Sequence, residues 1–168
     1  MTQTEASFVL SNDPRLIQPV VAYLQESITR MRLCNEAECV QVGIALHEAF
    51  LNALFHGNLE VSSELRAMGE SAYLELAEQR RQQLPFRDRR IYVNARTSAS
   101  EAVYVVRDEG VGFDPASLPD STDPANLSKV SGRGILLIRT FMDEVIYNGM
   151  GNQITMIKRR NNPGEEKT

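Results

Sequence analysis

The sequence predicts an α/β fold, a two-layer sandwich in which a mixed, mostly antiparallel sheet carries helices on one face. Three observations predict it. Helix-period apolar residues dominate the first third, as in Leu16, Ile17, Val20, Tyr23, Leu24 and Ile28. Strand-like alternation gathers later, in "RRIYVNART" and "EAVYVVRD". A glycine-led apolar stretch, "GRGILLIRTFMDEV", then separates those strands from a final pair. Helices first and strands later, with one helix between strands, suit helices packed on one face of a sheet.

Taken in order, residues 5–10, "EASFVL", read as a short first strand. Ser11, Asn12 or Asp13 offers a cap and Pro14 a first turn for a helix reaching about Met31. Asn35 or Glu36 opens a second helix that runs to His56 and stops at Gly57. The charged segment 59–90 reads as helical, interrupted near Gly69 and ended by Pro85. Residues 114–131 are rich in Pro, Asp and Ser and read as a loop or lid. "VIYNG" and "NQITMIKRR" form a hairpin across a Gly/Asn turn, and residues 161–168 a flexible tail.

Composition narrows the function. At 168 residues the chain suits a single domain, here placed at 1–160, with a core of ordinary size. A net charge of -4 supplies no broad cationic field, so direct nucleic-acid binding is not expected. The local basic run "RRQQLPFRDRR" reads as a solvated helix end and loop. No apolar run approaches the roughly 20 residues needed to span a bilayer. With neither a basic-then-apolar leader nor a disulfide framework (Cys34 and Cys39 are the two cysteines), a cytoplasmic setting is expected.

Three short segments carry chemistry. In "LHEAFLNALFHGN", residues 46–58, Leu46, Phe50, Ala53 and Leu54 share one helix face, while Glu48 and Asn52 form a polar ridge roughly opposite, continued by His56. A carboxylate and an amide one turn apart can both reach a hard cation, or the carboxylate can hold a hydroxyl nucleophile; the ridge can equally face water. In "VVRDEGVGFDP", a strand delivers Asp108 into a turn with Gly110 and Gly112, where the carboxylate can accept from an exocyclic amine such as adenine's. In "SGRGILLI", Gly132 and Gly134 flank Arg133 just before a helix, an arrangement that favours phosphate oxygens. Each also has an ordinary reading as a tight turn or helix entry. Their order is more specific, and points to a purine nucleoside triphosphate with Mg²⁺.

With these residues in hand, the sequence resembles the GHKL superfamily of ATP-binding domains, shared by histidine kinases and gyrase B. It looks most like the stand-alone branch of bacterial anti-sigma factors that are serine kinases. Glu48, Asn52, His56 and Gly57 match its N-box, Asp108, Gly110 and Gly112 its first glycine box, and Gly132, Arg133 and Gly134 its second. The resemblance implies a Bergerat-type ATP-binding fold with ATP and Mg²⁺ as cofactors. It implies Asn52 on Mg²⁺, Asp108 on the adenine amine, Glu48 as general base toward a serine hydroxyl, and Arg133 on phosphate. His56 is expected either near the phosphates or capping the helix. The implied partners are a small antagonist protein that accepts the phosphoryl group and a sequestered sigma factor or other regulator, with a homodimer also implied. A helical insertion at about 59–90 departs from the family pattern and leaves the partner open.

His47 reads as a packed residue rather than a phosphoacceptor, and the first helix contains no His, so a sensor histidine kinase is not expected. Two functions remain in competition. One is an ATP-dependent serine/threonine protein kinase of partner-switching type. The other is an ATP/ADP-gated binding module in which residues 114–131 change the partner surface.

Overall fold

The computed structural model describes residues 2–117 and 130–161. Among these residues five strands form one sheet in the order β1-β2-β3-β5-β4, with β1 Gln3–Leu10, β2 Ile91–Ser98, β3 Glu101–Arg107, β4 Glu144–Tyr147 and β5 Gln153–Arg159. Among the described residues every pairing is antiparallel, in keeping with the mostly antiparallel sheet expected. The helices lie on one face, as expected. They are α1 Ile17–Arg30, α2 Glu36–Leu51, α3 Ser63–Met68, α4 Glu70–Arg81 and α5 Val130–Phe141.

Strand alternation sorts the sheet into two faces. Ile91, Val93, Ala95, Ala102, Tyr104, Val106, Ile154 and Met156 are buried on the helix side. Against them α1 buries Ile17, Val20, Leu24 and Ile28 of the residues whose spacing marked the helix, together with Val21, while Leu16 and Tyr23 of that set are exposed. α2 buries Leu46 and Phe50 on the anticipated face, and Ala53 and Leu54 extend that face beyond it. A reciprocal capping box starts α2: the Glu38 N–H donates to Asn35 Oδ1 at 2.8 Å, and the Asn35 N–H donates to Glu38 Oε2 at 3.2 Å.

The first departure from the sequence reading is at the end of α2. The α-helix stops at Leu51, and Asn52–Asn58 continue as a π turn rather than as α-helix to His56. The Leu59 N–H reaches back five residues to the Leu54 carbonyl at 3.0 Å, and the Val61 N–H reaches Phe55 at 2.8 Å. The wider turn leaves carbonyls without helical partners. Arg80 Nη1 donates to the Leu59 carbonyl at 2.9 Å and also to that of Glu60, while Arg89 Nη1 donates to the Asn58 carbonyl at 2.8 Å. These two arginines of the basic run therefore hold the end of the π turn, with both guanidiniums stacked over Phe86.

Other boundaries shift by less. Gly69 separates α3 from α4, the interruption foreseen there. α5 ends at Phe141, because the Asp143 N–H pairs with the Ile157 carbonyl at 2.9 Å and Glu144 enters β4. The hairpin β4–β5 forms as read. Most of the anticipated lid and all but the first residue of the anticipated tail lie outside the described residues. Among those described, no helix is long and apolar enough to cross a membrane.

Asn58 ties these parts together and is fully buried. Its Nδ2 donates to Asn12 Oδ1 at 2.8 Å, and its Oδ1 accepts from the Glu109 N–H at 2.7 Å. Asn12 in turn donates to the Phe86 carbonyl at 2.8 Å. The π turn, the β1–α1 loop, the α4–β2 link and the turn after β3 thus share one polar network, and such networks are costly when broken. Asn58→Ala is expected to destabilise the protein by about 2–4 kcal/mol, since it strands the part-buried Glu109 N–H and the buried Asn12 amide. Urea unfolding of both proteins checks this.

Candidate functional site

Asp108 follows the last residue of β3 and is 8% exposed. Its Oδ1 accepts the Gly110 N–H at 2.8 Å, and its own backbone is clamped to Asn152, with the Asp108 N–H on the Asn152 carbonyl at 2.9 Å. On the other side the π turn brings the Gly57 backbone against the carboxylate, where any side chain at 57 would overlap it. Gly110 in turn lies against the Gly57 carbonyl with no room for a Cβ. Gly112 has a positive φ of 76° and packs on the Met150 carbonyl, so that position requires glycine on both counts. The Phe113 N–H then donates to the Met150 carbonyl at 3.1 Å, and its ring meets Tyr147 edge-on at 5.2 Å.

Burial raises the Asp108 carboxyl to about 6, against the lowering effect of the Gly110 N–H and of Arg89 and Arg107. The carboxylate forms part of the wall of a cavity of about 220 Å³ that also includes Asn52, Ala53, His56, Gly57, Val106, Gly112, Phe113, Ile135, Tyr147, Asn152 and Ile154. The walls are mostly apolar, with the buried Asp108 carboxylate as an acceptor among them. That combination suits a planar heterocycle carrying an amine.

Glu48 and Asn52 lie farther along, half-buried where α2 faces α5. Gly134 makes this meeting possible: a Cβ there would come within 2.9 Å of Glu48 Oε2 and 3.7 Å of Asn52 Nδ2. α5 begins at Val130, so Gly132, Arg133 and Gly134 fall in its first turns rather than ahead of it, a correction to the helix entry read from the sequence. Arg133 is exposed on this turn. Glu48 and Asn52 also bound a second, smaller cavity of about 90 Å³, together with His56, Arg66, Tyr73 and Gly134.

His56 stands between the two cavities. Its Nδ1 lies 2.7 Å from the Val61 carbonyl, which can only accept, so Nδ1 carries the proton and Nε2 is left as an acceptor. Burial lowers its pKa, with the nearby Arg66 adding to the effect and the Val61 bond opposing it. The structure therefore gives His56 a helix-end bond and also places its ring beside the cavities. Among the described residues no group of three His, Cys, Asp or Glu side chains is arranged to hold a metal ion. A cation beside Glu48 and Asn52 would draw its remaining oxygens from a ligand and water, the usual arrangement for Mg²⁺ on phosphates.

The structure thus collects the named residues into two ends of one groove, Asp108, Gly110 and Gly112 at the base and Glu48, Asn52 and Gly134 at the outer end, with His56 between. Asn58, Asn152, Phe113 and Tyr147 were missed. Asn58 sits inside the "HGN" segment, but nothing in its spacing distinguishes a buried linker from a surface amide. The other three depend on the β4–β5 turn folding back onto the loop after Asp108.

Residues 10–158 match the model of a family described as the histidine kinase-like ATPase domain. No curated protein matches the chain.

The titration of Asp108 has a definite sign. A carboxyl raised from 3.8 to about 6 by folding contributes stability that is present below 3.8 and is lost as pH rises through 6. His56, lowered on folding, works oppositely, its contribution falling away as pH drops below its ordinary 6.5. Asp108→Asn should therefore make the ligand-free protein more stable than wild type at pH 8, by about 1–3 kcal/mol, with the gap closing toward pH 4. Chemical unfolding across that pH range checks the prediction.

Proposed function

The chain belongs to the histidine kinase-like ATPase domain family, and on that premise we propose that it is a Mg-ATP-dependent serine/threonine protein kinase of the anti-sigma, partner-switching type. The observation that supports it best is the meeting of Glu48, Asn52 and Gly134 at the far end of a groove whose base is Asp108. Adenine in the larger cavity would donate its amine to Asp108 and stack among Phe113, Ile135 and Ile154, with the phosphates running toward Asn52. This also explains the buried carboxylate, since an amine donor compensates a charge that the protein otherwise carries at a cost.

At the phosphate end the chain supplies position and charge, which is most of what phosphoryl transfer requires. A Mg²⁺ held by the Asn52 amide oxygen and phosphate oxygens would neutralise the charge between the phosphates. Glu48 accepts the proton of an incoming serine or threonine hydroxyl, whose oxygen forms the new bond to the γ-phosphorus as the bond to the bridging oxygen breaks and ADP leaves. Backbone N–H groups of α5's first turn and Arg133 would add positive charge toward the phosphates. The acceptor is a small antagonist protein, and the partner held in the alternate state is a sigma factor or other regulator in the cytoplasm.

A second reading is favoured by the insertion. α3 packs against α5 beside Glu48, on the side from which an acceptor hydroxyl would approach. In that reading ATP and ADP switch a binding surface and little phosphoryl transfer occurs. A nucleotide can do so only if it binds the two states unequally.

With captured partner proteins and γ-labelled Mg-ATP, wild type is expected to label a serine or threonine. Glu48→Gln should reduce that labelling by about 10²-fold or more, as loss of a positioned base does, while ATP affinity stays within about threefold. Labelling by Glu48→Gln at the wild-type rate would remove Glu48 as the base. ATP occupancy without labelling by wild type would favour the gated module.

A further inference from the structure

The insertion brings a cation to the outer end of the groove. Arg66 lies on α3 and borders the smaller cavity with Glu48, Asn52, His56 and Gly134. Its guanidinium rests over the Tyr73 ring, 5.5 Å from the centroid, and that ring is fixed by Phe55 at 5.3 Å and His56 at 6.4 Å. Tyr73 is buried, so this platform is part of the core and not a surface accident. A guanidinium over a ring face can keep donors available to an oxyanion.

Asn52 and His56 border both cavities, so a chain of phosphates leaving the larger one passes between them into the smaller. A γ-phosphate, the group a diphosphate lacks, would be the one to reach the smaller cavity. We propose that Arg66 is a γ-phosphate contact supplied by the insertion, through which this chain distinguishes a nucleoside triphosphate from a diphosphate. The proposal rests on the nucleotide reading above and adds a residue that none of the three sequence boxes contains. Segment 63–81 thereby becomes a sensor of the bound nucleotide. With ATP bound, α3 is tied through Arg66 to α2 and α5, and with ADP that tie is absent.

The test is calorimetric titration of the full chain with Mg-ADP and with a non-hydrolysable Mg-ATP analogue, for wild type, Arg66→Gln and Arg66→Lys. Arg66→Gln is expected to weaken the analogue about tenfold and leave ADP within about twofold, and Arg66→Lys to recover part of the loss. Unchanged ADP affinity shows that the variant is folded. Hydrogen exchange should slow in residues 63–81 with the analogue but not with ADP, and only when Arg66 is present. Equal weakening of both nucleotides, or of neither, would overturn the proposal while leaving the nucleotide site in place. Absence of binding of either nucleotide by wild type would overturn it together with the reading it rests on.

Discussion

The site depends on one constraint, the seating of an ionisable carboxylate, Asp108, against bare backbone. Gly57 and Gly110 close around it so tightly that neither can carry a Cβ, and the π turn is what brings Gly57 there. Had α2 continued as a regular helix, each residue after Leu51 would turn by about 100° instead of the smaller step of a π turn, and the chain would leave in another direction. Arg80 and Arg89 then hold that exit in place through the carbonyls at the end of the turn, and the Asn58 side chain through the Glu109 N–H. The acceptor is thus preorganised before any ligand arrives, at some cost to stability.

The two ends of the groove are built by different means. The base is a rigid pairing of the turn after β3 with the β4–β5 turn, where Asp108 and Asn152 exchange hydrogen bonds and Phe113 locks onto Met150. The outer end is a helix–helix contact, α2 on α5, opened to close approach by Gly134 and flanked by α3. Strand turns locked by backbone pairing hold one fixed shape. Short helices joined through Gly69, with few buried residues of their own, can be repositioned at lower cost. A switch built on this fold would therefore act at the outer end, near Glu48 and Arg66, and leave the base unchanged.

Much of this was legible in the sequence where periodicity reports burial. The inner face of α2, the break at Gly69 and the β4–β5 hairpin all follow from apolar spacing and turn residues. The α/β sandwich followed from helices preceding strands with one helix between them, and the membership in an ATPase family from the order of three short boxes. What escaped was set by hydrogen bonds that composition does not encode. The π turn has the same apolar pattern as the α-helix it replaces. The basic run looked solvated, yet Arg80 and Arg89 face inward because carbonyls at the end of the π turn accept from them. The end of α5 is decided by the pairing of Asp143 with Ile157 across the sheet, a contact no local window contains.

The measurement that bears most directly on the site is a titration of ¹⁵N-labelled protein with Mg-ADP, followed by amide chemical shifts. A nucleotide seated as described should move Gly57, Gly110, Gly112 and Asn152 most, as the residues that surround the Asp108 carboxylate, and should leave the open face of the sheet at Val103 and Val105 unmoved. Saturation with no change at those glycines, or changes centred on that open face, would contradict the assignment of Asp108 as the base-recognition residue and with it the nucleotide site.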